Sequence, residues 1–551
     1  MSKDTANPAT PTFLQRLGLF DATMLVMGTM IGSGIFVVSP DIARDTGGAG
    51  WLLVVWGLAG VMTIIGALSY AELAAMMPAA GGQYVYLREA YSPLWGFLYG
   101  WTCFLVIQTG SIAAVGVAFA KYLGVLVPTL GTDHIIYSIK DVNVELWLPL
   151  MAEPFFTMKD FNVSAGQLVA ALIIAFLTWL NCRGVQEGKL VQNVMTVAKT
   201  AALLLLIFVG LFIVSDSTVR LANWRDPWGG IYETPRYQET VKSVGVSGFL
   251  AALMVMGGAM VGSLFSSDAW NNITFTAGEI RQPRRNLPLS LALGTGSVVL
   301  LYMLANVAFI EALPVQGDLK AAEQLEREEA DARARAQALR HQGKAAEAAA
   351  AEQEADVRRA EAAQKRGIDG AKDDRVGTAV MELFSPRYGV PFMAVAIMIS
   401  TFGCVNGMIL MGARLYYVMA QDNLFFRSVG TLNRNSVPAA GLVAQGFWSI
   451  LLVFSGTYGE LLDYVIFAVL VFYVLTVSGL FILRRTQPNA ERPYKALGYP
   501  VLPALYVFLC AVIMVDLLIV KPKFTWPGLI IVLTGIPVYF FWRAIGKRST
   551  A

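Results

Sequence analysis

The chain has 551 residues, 56% of them hydrophobic and 15% charged, with a mean hydropathy of +0.56 and a formal net charge of +3. Soluble globular proteins carry about 25% charged residues, so this composition excludes a soluble enzyme and a disordered chain. The weak positive balance offers no surface for nucleic acid, and four cysteines are too few for a disulfide scaffold.

A helix crosses a 30 Å hydrocarbon core in about 20 residues. Twelve apolar runs meet that length, at 18–43, 50–77, 92–128, 164–181, 189–216, 245–276, 286–312, 388–421, 437–456, 459–483, 499–519 and 525–545. They are long and uninterrupted rather than alternating, which predicts an all-α membrane protein and not a barrel. Residues 1–17 are polar, with no apolar stretch before a small-residue cleavage site, and predict a cytoplasmic tail rather than a signal peptide. Lys and Arg favour one set of loops by about 17 to about 9, which places both termini, including a tail at 546–551, in the cytoplasm.

The first span is interrupted by Gly28-Thr29-Met30-Ile31-Gly32-Ser33-Gly34. Glycine in a helix interior costs about 1 kcal/mol relative to alanine. Unwinding here would bare N–H groups at the start of the following half-helix, where the macrodipole favours an anion. Close helix packing through Gly28 and Gly32 is the plainer alternative. The second span carries Glu72 near its cytoplasmic end, where structural pairing is expected. The fifth carries Lys199 about ten residues in, a costly position for an ammonium unless it has partners or snorkels. The sixth runs through Gly262-Ser263-Leu264-Phe265-Ser266-Ser267-Asp268-Ala269-Trp270-Asn271-Asn272, polar groups that need a cavity or partners at such depth. Interrupted spans at corresponding positions of two halves point to inverted repeats around a midplane site. The halves are 18–216 and 245–483, followed by two further helices at 499–545.

Between the seventh and eighth spans, residues 317–372 break the apolar pattern with a charged, alanine-rich insert. Good helix formers and pairs such as Glu323–Arg327 and Glu354–Arg358 predict an extramembrane helical hairpin, turning near Gly343, with a weak apolar stripe of Leu319, Ala322, Leu325 and Leu339. Span counting puts it outside the cell. It reads as a solvated decoration or as a docking arm for an envelope partner. His134 and His341 lie in loops, and no metal site, nucleophile–base pair or phosphate loop is evident, so no cofactor is expected.

Gly28 to Phe36, the stretch Gly81-Gly82-Gln83-Tyr84-Val85-Tyr86-Leu87-Arg88-Glu89-Ala90-Tyr91, and Asn286-Leu287-Pro288 resemble the amino acid–polyamine–organocation transporter superfamily. Within it, Ser400 to Gly407 and Arg492-Pro493-Tyr494-Lys495 resemble the L-type amino acid transporter family. The resemblance covers all twelve spans but not the insert. It implies a five-plus-five inverted repeat with helices 1 and 6 broken, and an amino acid held between them by Met30, Gly32, Ser33, Gly34, Phe265, Ser266, Ser267, Asp268 and Asn271. Amides near Gly32–Gly34 would take the carboxylate, carbonyls near Phe265–Ser267 the ammonium, and Phe265 would cover the site. Lys199, with Ser400 or Thr401, would stand where related proteins hold sodium. An unpaired Asp268 would favour a cationic side chain; a hydrogen-bonded or protonated one would not. Animal members of the family pair with a glycoprotein through a cysteine in the loop between spans 3 and 4. Residues 129–163 contain none, so no disulfide-linked heavy subunit is expected. The resulting expectation is a sodium-independent amino acid transporter, an exchanger or proton-coupled permease, working by alternating access. The rival is a transporter-like amino acid receptor signalling through the insert.

Overall fold

The computed structural model describes residues 13–140, 161–455, 458–520 and 522–548, with short stretches between 142 and 158. The first twelve residues, Lys159, Lys521 and the end of the C-terminal tail lie outside the described residues. Among the described residues, eleven helices are long and apolar enough to cross a membrane, and a shorter apolar helix, Ala439–Val453, lies where the ninth span was expected. The protein is a twelve-span helical membrane protein.

Helix 1 runs from Leu19 to Met30, breaks, and resumes at Gly34–Val37 and Ser39–Thr46. Helix 6 is α-helical only over Phe249–Ser266. It breaks at Ser267–Ala269, within the polar stretch expected to interrupt it, and continues as 3₁₀ turns over Trp270–Glu279. Ala269 sits at φ +66°, a left-handed conformation that a continuing helix forbids. Helix 3 is continuous over Pro93–Leu126, with a π-helical turn at Cys103–Ile107.

The loop after helix 3 departs from an all-helical reading. Ile135–Ile139 pairs antiparallel with Phe161–Ser164, and Val144–Leu146 with Phe156–Met158. The run Ile135-Ile136-Tyr137 is β-branched and aromatic, which suits a pleated strand better than a helix.

The charged insert forms two antiparallel helices, Leu319–His341 and Ala345–Arg366. Their seam is built of alanines rather than leucines: Ala322, Ala332, Ala336, Ala348, Ala351, Ala355 and Ala362 are buried, while Leu319 is exposed. Alanine lets the two axes approach closely, and the charges then pair across the seam. Arg335 meets Glu354, Arg358 meets Glu328 and Arg366 meets Glu326, so Arg358 does not take Glu354 as expected from spacing along one helix. The base of the hairpin is closed by Asp318 N–H donating to Lys365 O at 2.7 Å. A short cap helix, Val376–Phe384, follows.

At the opposite end of the bundle, the segment preceding helix 1 lies across the end of helix 6. Arg16 and Leu17 N–H groups donate to Glu279 O at 2.9 and 3.0 Å, and Arg281 N–H donates to Leu17 O at 2.8 Å. Behind them Glu279 and Arg414 form a fully buried ion pair at 2.9 Å.

Candidate functional site

The two breaks face each other. Thr29 Oγ1 donates to Ala269 O at 3.2 Å, which ties helix 1 to the left-handed turn of helix 6. Tyr302 of helix 7 (Pro283–Ala312) reaches both at once. Its hydroxyl lies 3.0 Å from Met30 O and 3.2 Å from Ser266 O. A phenol has one proton to donate, so two carbonyls share it.

Gly34 opens the second half of helix 1 directly against helix 6. A Cβ at Gly34 would lie 2.1 Å from Ser266 Oγ and 2.7 Å from Ser266 Cβ, so only glycine permits this approach. Nearer the hairpin, a Cβ at Gly262 would lie 2.6 Å from Val38. Helix 1 and helix 6 thus touch on the hairpin side of the breaks, and the Leu17–Glu279 main-chain bonds join the same two segments at the other end.

Lys199 lies on helix 5 (Val185–Phe208) and is 1% exposed. Its Nζ donates to Gly28 O at 2.5 Å, Ile31 O at 2.7 Å and Ser400 O at 3.2 Å. Two carbonyls at the end of the first half of helix 1 and one from helix 8 satisfy all three ammonium protons, which removes any need to snorkel. Ser400 engages Lys199 through its backbone carbonyl; its hydroxyl instead donates toward Ile31 O and Gly32 O at 3.0 and 2.8 Å. Thr401 turns away, its hydroxyl bonded to Ile397 O and Met398 O of its own helix. Cys404 Sγ contacts Thr29 O at 3.0 Å. Helices 5, 7 and 8 thus occupy the carbonyls of Gly28 through Gly32, while the next residues begin a new helix whose first amides have no intrahelical acceptor.

On helix 6, Ser266 and Ser267 are buried and Phe265 and Asp268 half-buried. Ser266 Oγ bonds back to Gly262 O at 2.8 Å. The Asp268 carboxylate is not unpaired: the Tyr473 hydroxyl of helix 10 (Tyr458–Thr486) donates to Oδ1. Tyr473 stacks on Trp270 at 5.3 Å, and Tyr70 packs edge-on against both. Behind this cluster is a cavity with room for about one water, lined in part by Thr63, Ser267, Asp268, Tyr473, Tyr506 and Cys510. Asn271 points elsewhere. Its Nδ2 donates to Gln83 Oε1 at 2.9 Å, and Gln83 donates on to Phe472 O and Thr476 of helix 10. Glu72 is buried and bound to Arg484, to Arg492 and to the Ala496 N–H.

Tyr302, Tyr473, Thr29 and Gln83 were missed by sequence reading. Tyr302 and Tyr473 are single polar groups in apolar runs, while Thr29 and Gln83 lie in glycine-bearing stretches already singled out; in neither case does the sequence say which neighbour is met. Among the described residues no group of His, Cys, Asp and Glu is placed to hold a metal.

The protein has recognisable relatives. A family model described as "Amino acid permease" matches residues 17–323 and 366–541. The chain is 25% identical over 545 residues to the "b(0,+)-type amino acid transporter 1" of Homo sapiens, covering 98% of this chain and 90% of that protein. It is 26% identical over 536 residues to the "Large neutral amino acids transporter small subunit 2" of Homo sapiens, covering 96% and 81%. The mouse form of the first relative is 24% identical over 540 residues, covering 97% and 89%.

Proposed function

The chain belongs to the amino acid permease family, and from that premise we propose that it is a sodium-independent amino acid exchanger of the cell membrane, working by alternating access between the two broken helices. The observation that carries the reading is the Lys199 ammonium seated among the carbonyls of Gly28, Ile31 and Ser400. A fixed cation there supplies the charge that a bound metal ion would otherwise bring, so the first-helix break is held open without one. The amides following Gly32 then take the substrate carboxylate, by the positive end of the half-helix dipole. Carbonyls around Phe265, Ser266 and Ser267 take the α-ammonium, and Phe265 covers the pocket.

Asp268 sets the side-chain preference. With Tyr473 donating to it, the carboxylate is satisfied when a neutral side chain is bound, yet keeps lone pairs for a second positive charge. Exchange is favoured over proton symport because both ends of the gap are closed by specific contacts, and a bound substrate supplies the interactions that reopen either one. The termini and the Leu17–Glu279 clasp face the cytoplasm and the hairpin faces outward. The chain works without a disulfide-linked companion, since its span 3–4 loop has no cysteine; a relative named as a small subunit does not carry that requirement here.

The test is uptake into proteoliposomes. One labelled amino acid is competed against the twenty common ones, with sodium, pH and internal amino acid varied in turn. Uptake that needs internal amino acid and ignores sodium supports the reading. Uptake that needs sodium, or that no amino acid inhibits, overturns it.

A further inference from the structure

We propose that the hairpin 319–366 is a strap that holds the outer side of the helix 1–helix 6 gap shut by pinning the cap helix Val376–Phe384; this rests on the transport reading above. The family match stops at residue 323 and resumes at 366, so the bundle and its cap are complete without the hairpin. What the insert adds is a set of attachments to parts that must part for the gap to open.

Two contacts made by the hairpin define the strap, and a third, made by the chain that links it to the cap, ties the same base to helix 1. On the second hairpin helix, Arg359 Nε and Nη2 both donate to Glu382 Oε1 of the cap helix, at 3.0 and 2.8 Å. The two side chains are 28% and 17% exposed, so this pair is shielded more than an ordinary surface ion pair. At the hairpin base, Gln364 Nε2 donates to Asp216 Oδ2 at 3.1 Å, beyond the end of helix 5. Between hairpin and cap, Arg44 donates to Asp369 O and to Asp374 Oδ1, both at 2.7 Å. Arg44 belongs to Ser39–Thr46, the helix that continues the outer half of helix 1.

The cap helix is pressed onto that same half-helix. A Cβ at Gly377 would stand 3.2 Å from the Phe36 ring, with Met393 and Leu206 as close. Phe36 and Val38 in turn lie on the half-helix that meets Gly262 and Ser266 of helix 6. Moving the outer half of helix 1 away from helix 6 therefore pushes against the cap, and the cap is tied to a stiff two-helix body. The hairpin's stiffness comes from its alanine seam and its cross-seam ion pairs, so it resists bending rather than following the cap. Opening outward must break the Arg359–Glu382 fork, the Arg44 contacts, or both.

The closed base makes the strap removable: Asp318 N–H and Lys365 O are in contact, so excising 324–365 leaves ends that a short link can join. The experiment replaces the four native cysteines and introduces Val38→Cys at a half-buried position that packs against Gly262 of helix 6. Labelling by a membrane-impermeant maleimide from the hairpin side is followed in proteoliposomes. Arg359→Ala and the excision should each speed labelling about tenfold, and the charge swap Arg359→Glu with Glu382→Arg should return it toward the parent rate. Labelling unchanged by both Arg359→Ala and the excision overturns the strap. A swap that labels as fast as Arg359→Ala also overturns it. If the parent vesicles exchange amino acids but labelling stays flat, the strap falls alone. If labelling responds but no amino acid is carried, the transport reading falls and the strap stands.

Discussion

Gly34 leaves no room for a methyl group, because Ser266 occupies the space. Gly34→Ala should force helices 1 and 6 apart and weaken substrate affinity at least tenfold, and Gly34→Val should abolish binding. Equilibrium binding in detergent reads both, and intact binding by Gly34→Val would refute the placement of the carboxylate. Lys199→Met keeps the apolar stem and removes the ammonium, leaving the buried Gly28 O without its donor and Ile31 O with the Ser400 hydroxyl alone. Each unsatisfied group costs about 1–3 kcal/mol, so thermal stability and exchange should both fall, with exchange down at least tenfold. An unaltered exchange rate would remove Lys199 from the mechanism. Asp268→Asn should lower lysine and arginine uptake relative to alanine. Tyr473→Phe should act oppositely, because it strips the carboxylate of its donor and leaves a cationic side chain as the remaining partner; the ratio of lysine to alanine competition constants should rise about tenfold. These residues were legible to different degrees. Lys199 announced itself as a charge in an apolar run. That its ammonium reaches Ser400 O, while the Ser400 hydroxyl goes to helix 1 and Thr401 turns to its own helix, depends on rotation about helix 8, and spacing alone does not fix that rotation.

The helical elements follow from run length, and their interruptions from glycine and serine clustering, because both are local properties of the chain. The break in helix 6 was readable for the same reason. Its continuation as 3₁₀ turns was not, since apolar Trp270, Ile273 and Phe275 extend the hydrophobic run without revealing how the backbone winds. The hairpin shows a similar limit. Alanine and charge content gave two helices, but alternative pairings along and across a seam look alike in sequence. Its acid response can be worked out. Hydrogen bonds from Arg366 hold the Glu326 carboxyl below its usual range, and bonds from the Thr218 hydroxyl and N–H do the same for Asp216. Carboxylates held low in the folded protein contribute stability above their unfolded pKa and lose it as pH falls through the folded value. Burial raises Asp369 and Glu382, with opposite sign. Glu326→Gln should therefore lower hairpin stability slightly at pH 7 and converge with the parent as pH falls through the carboxyl's lowered folded value, as read by hydrogen exchange across 319–366. A gap that persists at low pH would show that the pairing is not electrostatic.

Across the molecule, one ion pair carries much of the integrity of the end opposite the hairpin. Glu279 and Arg414 are each 1% exposed and link the last turn of helix 6 to helix 8. Removing one partner of a buried pair costs about 3–5 kcal/mol, whereas replacing both by apolar groups can cost far less. Arg414→Met should be strongly destabilising in a thermal-shift assay, and the double replacement Glu279→Leu with Arg414→Met should recover a good part of the loss. A double variant worse than the single would mean that the pair is part of the conformational cycle and not of the scaffold.

That end has a second consequence. The stretch of chain at Arg16 and Leu17 is stitched to Glu279 and Arg281 by main-chain bonds, so a segment lying outside the spans serves as the stopper on one doorway. Whatever tugs on the residues ahead of Phe13, such as a fused tag, a bound protein or a protease cut, pulls directly on that stopper. That segment is thus a handle by which this doorway can be worked.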